Sequence, residues 1–276
     1  MVSAADLRFA LNHMAAPQLG LADFFALART LGIREVEIRN DIGGKPIVDG
    51  TKPAMVKAVA EAAGVSIVTI NALQRFNEWN STRESEAIAL ADYAHDCGAE
   101  AIILVPVNDG SGRADGERQR NVIAALKALK PILTDRGVRG LVEPLGFSVC
   151  SLRRKSEAAE AIDTAGGDFK LVHDTFHHYL AGEEAIFPQL TGLVHISGVD
   201  DPSIAVADMR DPHRVLVGAA DRLGNVEQIR SVRAGGYRGP ISFEPFAEEL
   251  RMLRDPARAI GDSMNFIRAQ LAAKAA

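Results

Sequence analysis

The sequence has few of the features that mark secreted, membrane-bound or nucleic-acid-binding proteins. Cysteine occurs twice among 276 residues, at Cys97 and Cys150, which excludes a disulfide framework and favours a reducing compartment. There is no basic leader before an apolar segment and no apolar run of about eighteen residues, so we expect a soluble, cytoplasmic protein without a membrane partner. The net charge of -5 argues against a surface that grips phosphate backbones, so no nucleic-acid partner is expected.

What the sequence does contain is an ordinary globular composition. Hydrophobic residues make up 47% and charged residues 24% of the chain, which is enough apolar material for a large core. The length alone fits either two domains or one barrel.

Short apolar or β-branched runs alternate with longer segments in which apolar residues recur every three or four positions, as in repeated strand and helix units. The predicted strands are Leu7–Leu11, Glu35–Arg39, Ser66–Ile70, Ala101–Val105, Arg139–Glu143, Phe169–His173, Gly192–Ile196 and Pro240–Glu244. The predicted helices are Leu21–Leu31, Lys52–Ala63, Ser81–Cys97, Gly116–Arg136, Arg153–Ala165, a short one at Glu183–Gln189, Val226–Ala234 and Asp255–Ala273.

This alternation predicts the α/β class and a (βα)8 TIM barrel. An open doubly wound sheet is the structural alternative, but the segment after the first strand lacks its glycine-rich turn. No linker or low-complexity segment interrupts the pattern, so we expect one domain over residues 1–276, with a C-terminal tail that frays from about residue 270.

Ionisable residues stand at the ends of four consecutive predicted strands. They are Glu143, Asp174, His195 and Glu244. The carboxyl ends of barrel strands converge at one mouth, where three carboxylates and an imidazole would repel and desolvate one another unless a cation compensates them. We therefore predict that these four residues bind one divalent ion, Mn²⁺, Mg²⁺, Co²⁺ or Zn²⁺.

The stretch "LVHDTFHHYLAG" carries three histidines around Asp174. Because side chains alternate along a strand, His173 is expected to point away from the mouth and to serve packing. His177 is three residues beyond Asp174 and is expected to lean over the mouth toward a substrate, whereas His178 is interpreted as a solvated helix start. Phe76 and Trp79 are candidates for an apolar wall over the substrate.

Several segments resemble the xylose-isomerase-like family of TIM barrels, and most closely its inosose (2-keto-myo-inositol) isomerase branch. They are "EVEIR" at residues 35–39, "NALQRFN" at 71–77, "VEPLGF" at 142–147, "DTFHHYLAG" at 174–182, "LVHISGVDD" at 193–201 and "GGYRGPISFEPF" at 235–246. The loop "RVLVGAADRLG" from Arg214 departs from the family pattern, since a proline and a second glycine are missing.

The resemblance implies a metal held by the four strand-end residues and substrate oxygens held by His177 and Arg214. The reaction would interconvert keto-inositols through a cis-enediolate, with Glu143 and Glu244 as acid and base and Asn71 bonded to a ring hydroxyl. The expected partner is a polyol ketone or a ketose, and homo-oligomers are common in such barrels.

Other readings of the same site remain open. A ketose 3-epimerase or a hydroxypyruvate-type sugar isomerase would use the same four ligands. A DNA-repair endonuclease on this barrel is disfavoured by the acidic charge balance. Retention of Glu143 and Glu244 argues against a non-catalytic sugar-binding protein.

Overall fold

A computed structural model describes residues 7–45 and 47–273 of the chain. Eight parallel strands pair in sequence order, and β8 closes on β1, so the sheet is a closed barrel. The strands are β1 Phe9–Asn12, β2 Glu35–Arg39, β3 Ser66–Gln74, β4 Ala101–Val105, β5 Arg139–Val142, β6 Phe169–Asp174, β7 Thr191–Ile196 and β8 Ile241–Phe243. The predicted (βα)8 TIM barrel is confirmed.

Within the described residues, eight α-helices follow the strands and form the outer ring. They are α1 Leu21–Thr30, α2 Pro53–Ala63, α3 Ser81–Cys97, α4 Glu117–Thr134, α5 Lys155–Ala165, α6 Thr175–Ala181, α7 Asn225–Ala234 and α8 Pro256–Ala273. Among the described residues, no helix combines the length and apolarity needed to cross a membrane.

The short helix predicted at Glu183–Gln189 is wrong, because α6 lies earlier, at Thr175–Ala181. The Asp174 side chain accepts a hydrogen bond from the backbone N–H of His177, which starts the helix directly at the strand end. Gly182 ends it in the left-handed conformation, at φ 61°. At the other end of the chain, α8 extends to Ala273, so residues 270–273 of the tail that was expected to fray are helical, and residues 274–276 lie outside the described part.

The core has two layers that follow the alternation of side chains along each strand. A small cluster fills the inside of the barrel, and a much larger one lies between the strands and the helices. In β4, Ala101 and Ile103 belong to the inner cluster, whereas Ile102 and Leu104 belong to the outer one. Both faces are buried, which explains why this strand reads as a continuous apolar run.

Candidate metal centre and substrate pocket

The two-residue period of the strands positions the four candidate ligands. Leu141, Val172 and Leu193 belong to the inner cluster of the barrel, and two residues further along the same strands come Glu143, Asp174 and His195. Glu244 follows β8, two residues after the buried Ser242. Each ligand candidate therefore points into the barrel at its carboxyl end, one layer above the apolar filling.

The structure brings these four side chains together around the ring of His195. Its Nδ1 lies 2.9 Å from Glu143 Oε1, 3.2 Å from Glu244 Oε2 and 3.9 Å from Asp174 Oδ2. One candidate ligand atom from each of the four residues lies within 4.8 Å of the others. All four side chains are buried, and that of His195 has no exposed surface.

Glu37 of β2 lies on the opposite side of the His195 ring. Its Oε2 is 3.1 Å from His195 Nε2 and also accepts hydrogen bonds from Thr69 Oγ1 and Asn71 Nδ2. Ser242 Oγ donates to the other carboxylate oxygen. A proton on Nε2 is therefore directed at Glu37, which leaves the Nδ1 lone pair facing the three carboxylates, as a metal ligand requires.

Burial and neighbouring charges shift the pKa values of this cluster in opposite directions. Burial alone would lower the pKa of His195, but the carboxylates of Glu244, Glu37 and Glu143 raise it well above its usual value. Burial raises the pKa of Glu143. Burial would also raise the pKa of Glu244, but His195, Arg214 and Arg39 together hold it well below its usual value.

Two buried arginines contact the cluster from the mouth side. Arg39 Nη1 donates to Glu244 Oε1 at 2.7 Å, and Arg214 Nη2 lies 2.7 Å from Asp174 Oδ2 and 3.1 Å from Glu244 Oε2. Both guanidiniums also lie against the ring of Phe246, at 5.3 and 4.6 Å from its centroid. The arginines thus fix Glu244 and Asp174 while lining the entrance.

The balance of buried carboxylates and guanidiniums at the mouth fits a divalent cation. In the part of the chain that the structure describes, the buried carboxylates there are Glu37, Glu143, Asp174 and Glu244, against the guanidiniums of Arg39 and Arg214. With His195 neutral, as a ligand must be, two negative charges remain uncompensated in a solvent-excluded site. Three carboxylates and one imidazole form a donor set that Mn²⁺, Mg²⁺, Co²⁺ and Zn²⁺ all accept.

A cavity of about 360 Å³ opens above the cluster. The residues that sequence reasoning assigned to catalysis or substrate binding all line it: Asn71, Glu143, His177, Arg214 and Glu244. The Nδ1 atom of His177 is buried without a hydrogen-bond partner, so it is available to a polar ligand. The amide Nδ2 of Asn71 already donates a hydrogen bond to Glu37. Asn71 therefore helps to hold the carboxylate that faces His195.

The wall expected from Phe76 and Trp79 is wrong. Phe76 is fully buried in the outer core, and Trp79 packs against that core. Phe147 and Phe246 line the cavity instead. Phe246 lies two residues after Glu244. If the alternation of side chains is continued past the end of β8, Phe246 faces the same side as Glu244, and this sequence pattern identifies it.

A close backbone approach joins the loop after β5 to α6. A Cβ atom on Gly146 would lie 2.2 Å from the carbonyl oxygen of His177 and 2.6 Å from the Cβ of Leu180. Only glycine fits at this contact. Glu143 and His177 are consequently placed by two segments that touch directly.

The other two histidines of the stretch form a separate cluster behind the barrel. Lys155 Nζ lies 2.7 Å from His173 Nδ1 and 2.9 Å from His178 Nδ1, and His173 Nε2 lies 3.0 Å from Gln228 Oε1. His173 points away from the mouth as expected, but hydrogen bonding accompanies its packing. The prediction of a solvated His178 at the helix start is wrong, because this residue is half-buried inside α6.

Fold and site together define a (βα)8 barrel with a carboxylate-rich candidate metal centre at its mouth. The sequence profile of the xylose isomerase-like TIM barrel family matches residues 25–270. The chain therefore belongs to this family, and the resemblance seen in the sequence is confirmed.

Known proteins extend this comparison. An inosose isomerase of Halalkalibacterium halodurans is 25% identical over 198 residues, which cover 67% of this chain and 68% of that protein. The crystal structure of a xylose isomerase domain-containing protein from Salmonella typhimurium LT2 is 33% identical, with a TM-score of 0.89 and coverage of 97% and 98%. The structure of IolI with a bound zinc atom is 18% identical, with a TM-score of 0.84 and coverage of 96% and 99%. Sugar 3-epimerases share the fold as well.

Proposed function

We propose that the protein is a divalent-metal-dependent isomerase that interconverts keto-inositols by proton transfer through a cis-enediolate. The observation that carries the proposal is the convergence of Glu143, Asp174, His195 and Glu244 beneath a polar cavity. The inosose isomerase relative and the zinc bound to IolI support the choice of reaction and cofactor.

The proposed ligands of the ion are Glu143, Asp174, His195 and Glu244. When bound, the ion would act as a Lewis acid toward the carbonyl and adjacent hydroxyl oxygens of a substrate. The guanidinium of Arg214 holds two of these carboxylates in place, through Asp174 Oδ2 at 2.7 Å and Glu244 Oε2 at 3.1 Å.

The two glutamates are the proposed proton carriers. Both line the cavity and both lie within 3.2 Å of His195 Nδ1, so they are close enough to act on neighbouring carbons of one substrate. One removes the proton from the hydroxyl-bearing carbon and the other returns a proton to the former carbonyl carbon. Glu143 directly follows β5 and Glu244 directly follows β8, and because these strands are not adjacent, the two glutamates can approach the substrate from different sides.

The remaining residues of the cavity orient the substrate. His177 offers its unpaired Nδ1 to a substrate oxygen, and Arg214, which also lines the cavity, offers guanidinium N–H groups. Asn71 has a weaker claim, because its amide nitrogen is engaged by Glu37. The aromatic faces of Phe147 and Phe246 exclude water from the reacting carbons.

The experiment is an exchange reaction in D₂O. The protein, loaded with Mn²⁺, Mg²⁺, Co²⁺ or Zn²⁺ in turn, is incubated with scyllo-inosose, and the products are identified by NMR after removal of the ion. We expect deuterium at the carbon beside the ketone together with a new inosose, and neither in chelator-treated protein. An inert inosose beside an exchanging fructose or tagatose would reassign the site to a ketose 3-epimerase, and turnover of hydroxypyruvate alone to that type of isomerase.

A further inference from the structure

The carboxylate of Glu244 has different partners at its two oxygens. Oε2 lies 3.2 Å from His195 Nδ1 and 3.1 Å from Arg214 Nη2, so it belongs to the candidate metal centre. Oε1 accepts hydrogen bonds from Arg39 Nη1 at 2.7 Å and from Asn12 Nδ2 at 3.3 Å. The orientation that turns Oε2 toward the centre therefore depends on the donors at Oε1, and the shorter of these two bonds comes from Arg39.

The guanidinium of Arg39 is in turn held by Asp41, which lies two residues after the end of β2 and lines the cavity. Arg39 Nε donates to Asp41 Oδ1 at 2.8 Å, and Nη2 donates to Oδ2 at 2.7 Å. Such a bidentate pair fixes the plane of the guanidinium as well as its position. Rotation of the guanidinium away from Glu244 would break both bonds to Asp41. The aspartate therefore restricts Arg39 to the orientation that holds Glu244.

The residue before Asp41 anchors the loop that carries it. The side chain of Asn40 donates from Nδ2 to the carbonyl oxygen of Ala72 at 3.0 Å and accepts from the backbone N–H of Ala72 at 2.7 Å. The backbone N–H of Asn40 also donates to the carbonyl oxygen of Asn71. The start of the loop is thereby joined to β3, so Asp41 cannot follow a displaced guanidinium unless these hydrogen bonds break.

The second guanidinium at Glu244 depends less on an aspartate. Arg214 contacts Asp211 through one atom pair at 3.3 Å, and Arg214 Nε donates to Ser197 Oγ at 2.9 Å. The rings of two phenylalanines lie 5.0 and 4.6 Å from this guanidinium, so packing and the serine also hold it. Of the two aspartates, Asp41 therefore has the greater effect on Glu244.

We propose that Asp41 is a positioning residue for the metal centre and for proton transfer: through Arg39 it holds Glu244 with Oε2 facing the other three ligand residues. The inference rests on the proposed function, in which Glu244 is both a ligand and a proton carrier. Loss of the Asp41 carboxylate frees the guanidinium to rotate. Glu244 then loses its fixed orientation, although all four ligand residues are retained.

Mn²⁺ affinity, measured by competition with a chelator, tests this role without any turnover. We expect Asp41→Asn to raise the Kd about tenfold, the low end of the loss that follows when a ligand's hydrogen-bonded support is removed. Asp109→Asn is the matched control, because Asp109 lines the same cavity and pairs with Arg75 at 2.7 Å. Within the described residues, the side-chain hydrogen bonds of Arg75 go to Glu78 and Asp109. This variant removes the same charge from the cavity wall, and its Kd should change less than twofold.

A double-variant cycle tests whether Asp41 acts through Arg39. In an Arg39→Met background, Asp41→Asn should change the Mn²⁺ Kd less than twofold, whatever Arg39→Met does alone, because the group that Asp41 holds is absent. The same tenfold effect in both backgrounds would show a direct action of Asp41 and overturn the proposal. The comparison of Asp41→Asn with Asp109→Asn decides the question even if Arg39→Met does not fold.

Turnover separates this inference from the proposed function. At saturating Mn²⁺, kcat for scyllo-inosose should fall about tenfold in Asp41→Asn while KM changes less than twofold, since a proton carrier is displaced and the contacts of the substrate remain. Wild-type Mn²⁺ affinity in Asp41→Asn, with or without a lower urea midpoint, would overturn this inference and leave the proposed function standing. A weakened Kd in this variant, with no inosose turnover by the wild-type protein, would support the positioning role and count against the proposed function.

Discussion

Strand β6 contributes to two buried polar clusters, one on each of its faces. The free-energy cost of burying charged groups is reduced in a different way in each cluster. Inside the barrel, Asp174 joins a cluster of four carboxylates, two guanidiniums and the imidazole of His195. Outside it, His173, the preceding residue, joins Lys155 and His178 in a cluster of basic groups. Burial lowers the pKa of Lys155 to about 7 and that of His178 to about 4, so the outer cluster sheds its charge by releasing protons.

The difference separates a cluster whose polar groups are satisfied within the protein from the candidate metal centre. Each ring nitrogen of His173 has a partner, and the amide nitrogen of its neighbour Gln228 donates to the carbonyl oxygens of Thr175 and Leu223. The outer cluster is thereby satisfied within the protein. The inner cluster has four carboxylates against two guanidiniums, and it is the candidate metal centre. Four changes test this contrast.

The largest expected effect comes from Glu244→Gln. The variant removes a proposed ligand and proton carrier, so we expect the rate of deuterium incorporation into scyllo-inosose to fall about 10²- to 10⁴-fold. The rate is measured by NMR at saturating metal. Glu249→Gln, at an exposed glutamate five positions further along, is the control and should retain the wild-type rate; an active Glu244→Gln protein would contradict the assignment.

Lys155→Met tests the outer cluster through the pH dependence of stability. The folded-state pKa of Lys155 is about 7, below its ordinary value of 10.5, so between these values the unfolded state binds more protons. The free-energy cost of burying the charged ammonium is complete below pH 7. As the pH rises above 7, the free energy of unfolding increases by about 1.4 kcal/mol per pH unit. Urea unfolding at pH 7, 8 and 9 should therefore show wild-type stability rising relative to Lys155→Met. Parallel profiles would refute the shift, and Lys127→Met, at an exposed lysine, should run parallel to the wild type.

Glu37→Gln tests the support of His195 from behind. The carboxylate accepts from Thr69, Asn71, Ser242 and the imidazole, and an amide nitrogen in its place would face a donor. We expect Mn²⁺ affinity, measured by competition with a chelator, to fall about 10- to 100-fold. Glu35→Gln, at the start of the same strand, serves as the control. An unchanged Kd in Glu37→Gln would show that His195 needs no such partner.

His178→Gln is expected to have the smallest effect. Because burial lowers the folded-state pKa of His178 from 6.5 to about 4, the unfolded state binds the extra proton between these values, and stability falls as pH is lowered through this window. The variant should show a shallower loss of unfolding free energy between pH 6.5 and 4, by at most about 1.4 kcal/mol per pH unit. The same slope in both proteins would contradict the shift. Because burial also lowers the pKa of His13 to about 4, part of the pH dependence of the unfolding free energy should remain in the variant.

Much of this architecture follows from local patterns in the chain. Alternating strand and helix periods predict the barrel, and the position of Glu143, Asp174, His195 and Glu244 at strand ends predicts their convergence, since parallel closure brings strand ends to one rim. The family resemblance, and not spacing, pointed to Arg214. The displaced sixth helix shows a limit, because its start depends on a side-chain cap by Asp174.

Contacts between distant segments set the other limit. Lys155 and His173 are 18 positions apart, and Glu37 and His195 are 158 apart, so no local period connects them. The position of Phe147 likewise depends on contacts between distant segments, since Phe147 lines the cavity in the place predicted for Phe76. Which aromatic side chain faces the mouth depends on the paths of the loops, and the periods of strands and helices do not determine these paths.

The four proposed ligands all come from the strands β5 to β8, whereas Arg39, Asn71, Gln74, Arg75 and Asn108 reach the same cavity from β2 to β4 and their loops. One half of the rim thus carries the proposed ligands together with His177 and Arg214, and the other half completes the wall of the cavity. Substitutions at Gln74, Arg75 and Asn108 can alter which molecule is accepted, whereas Arg39 and Asn71 also hold Glu244 and Glu37 in place.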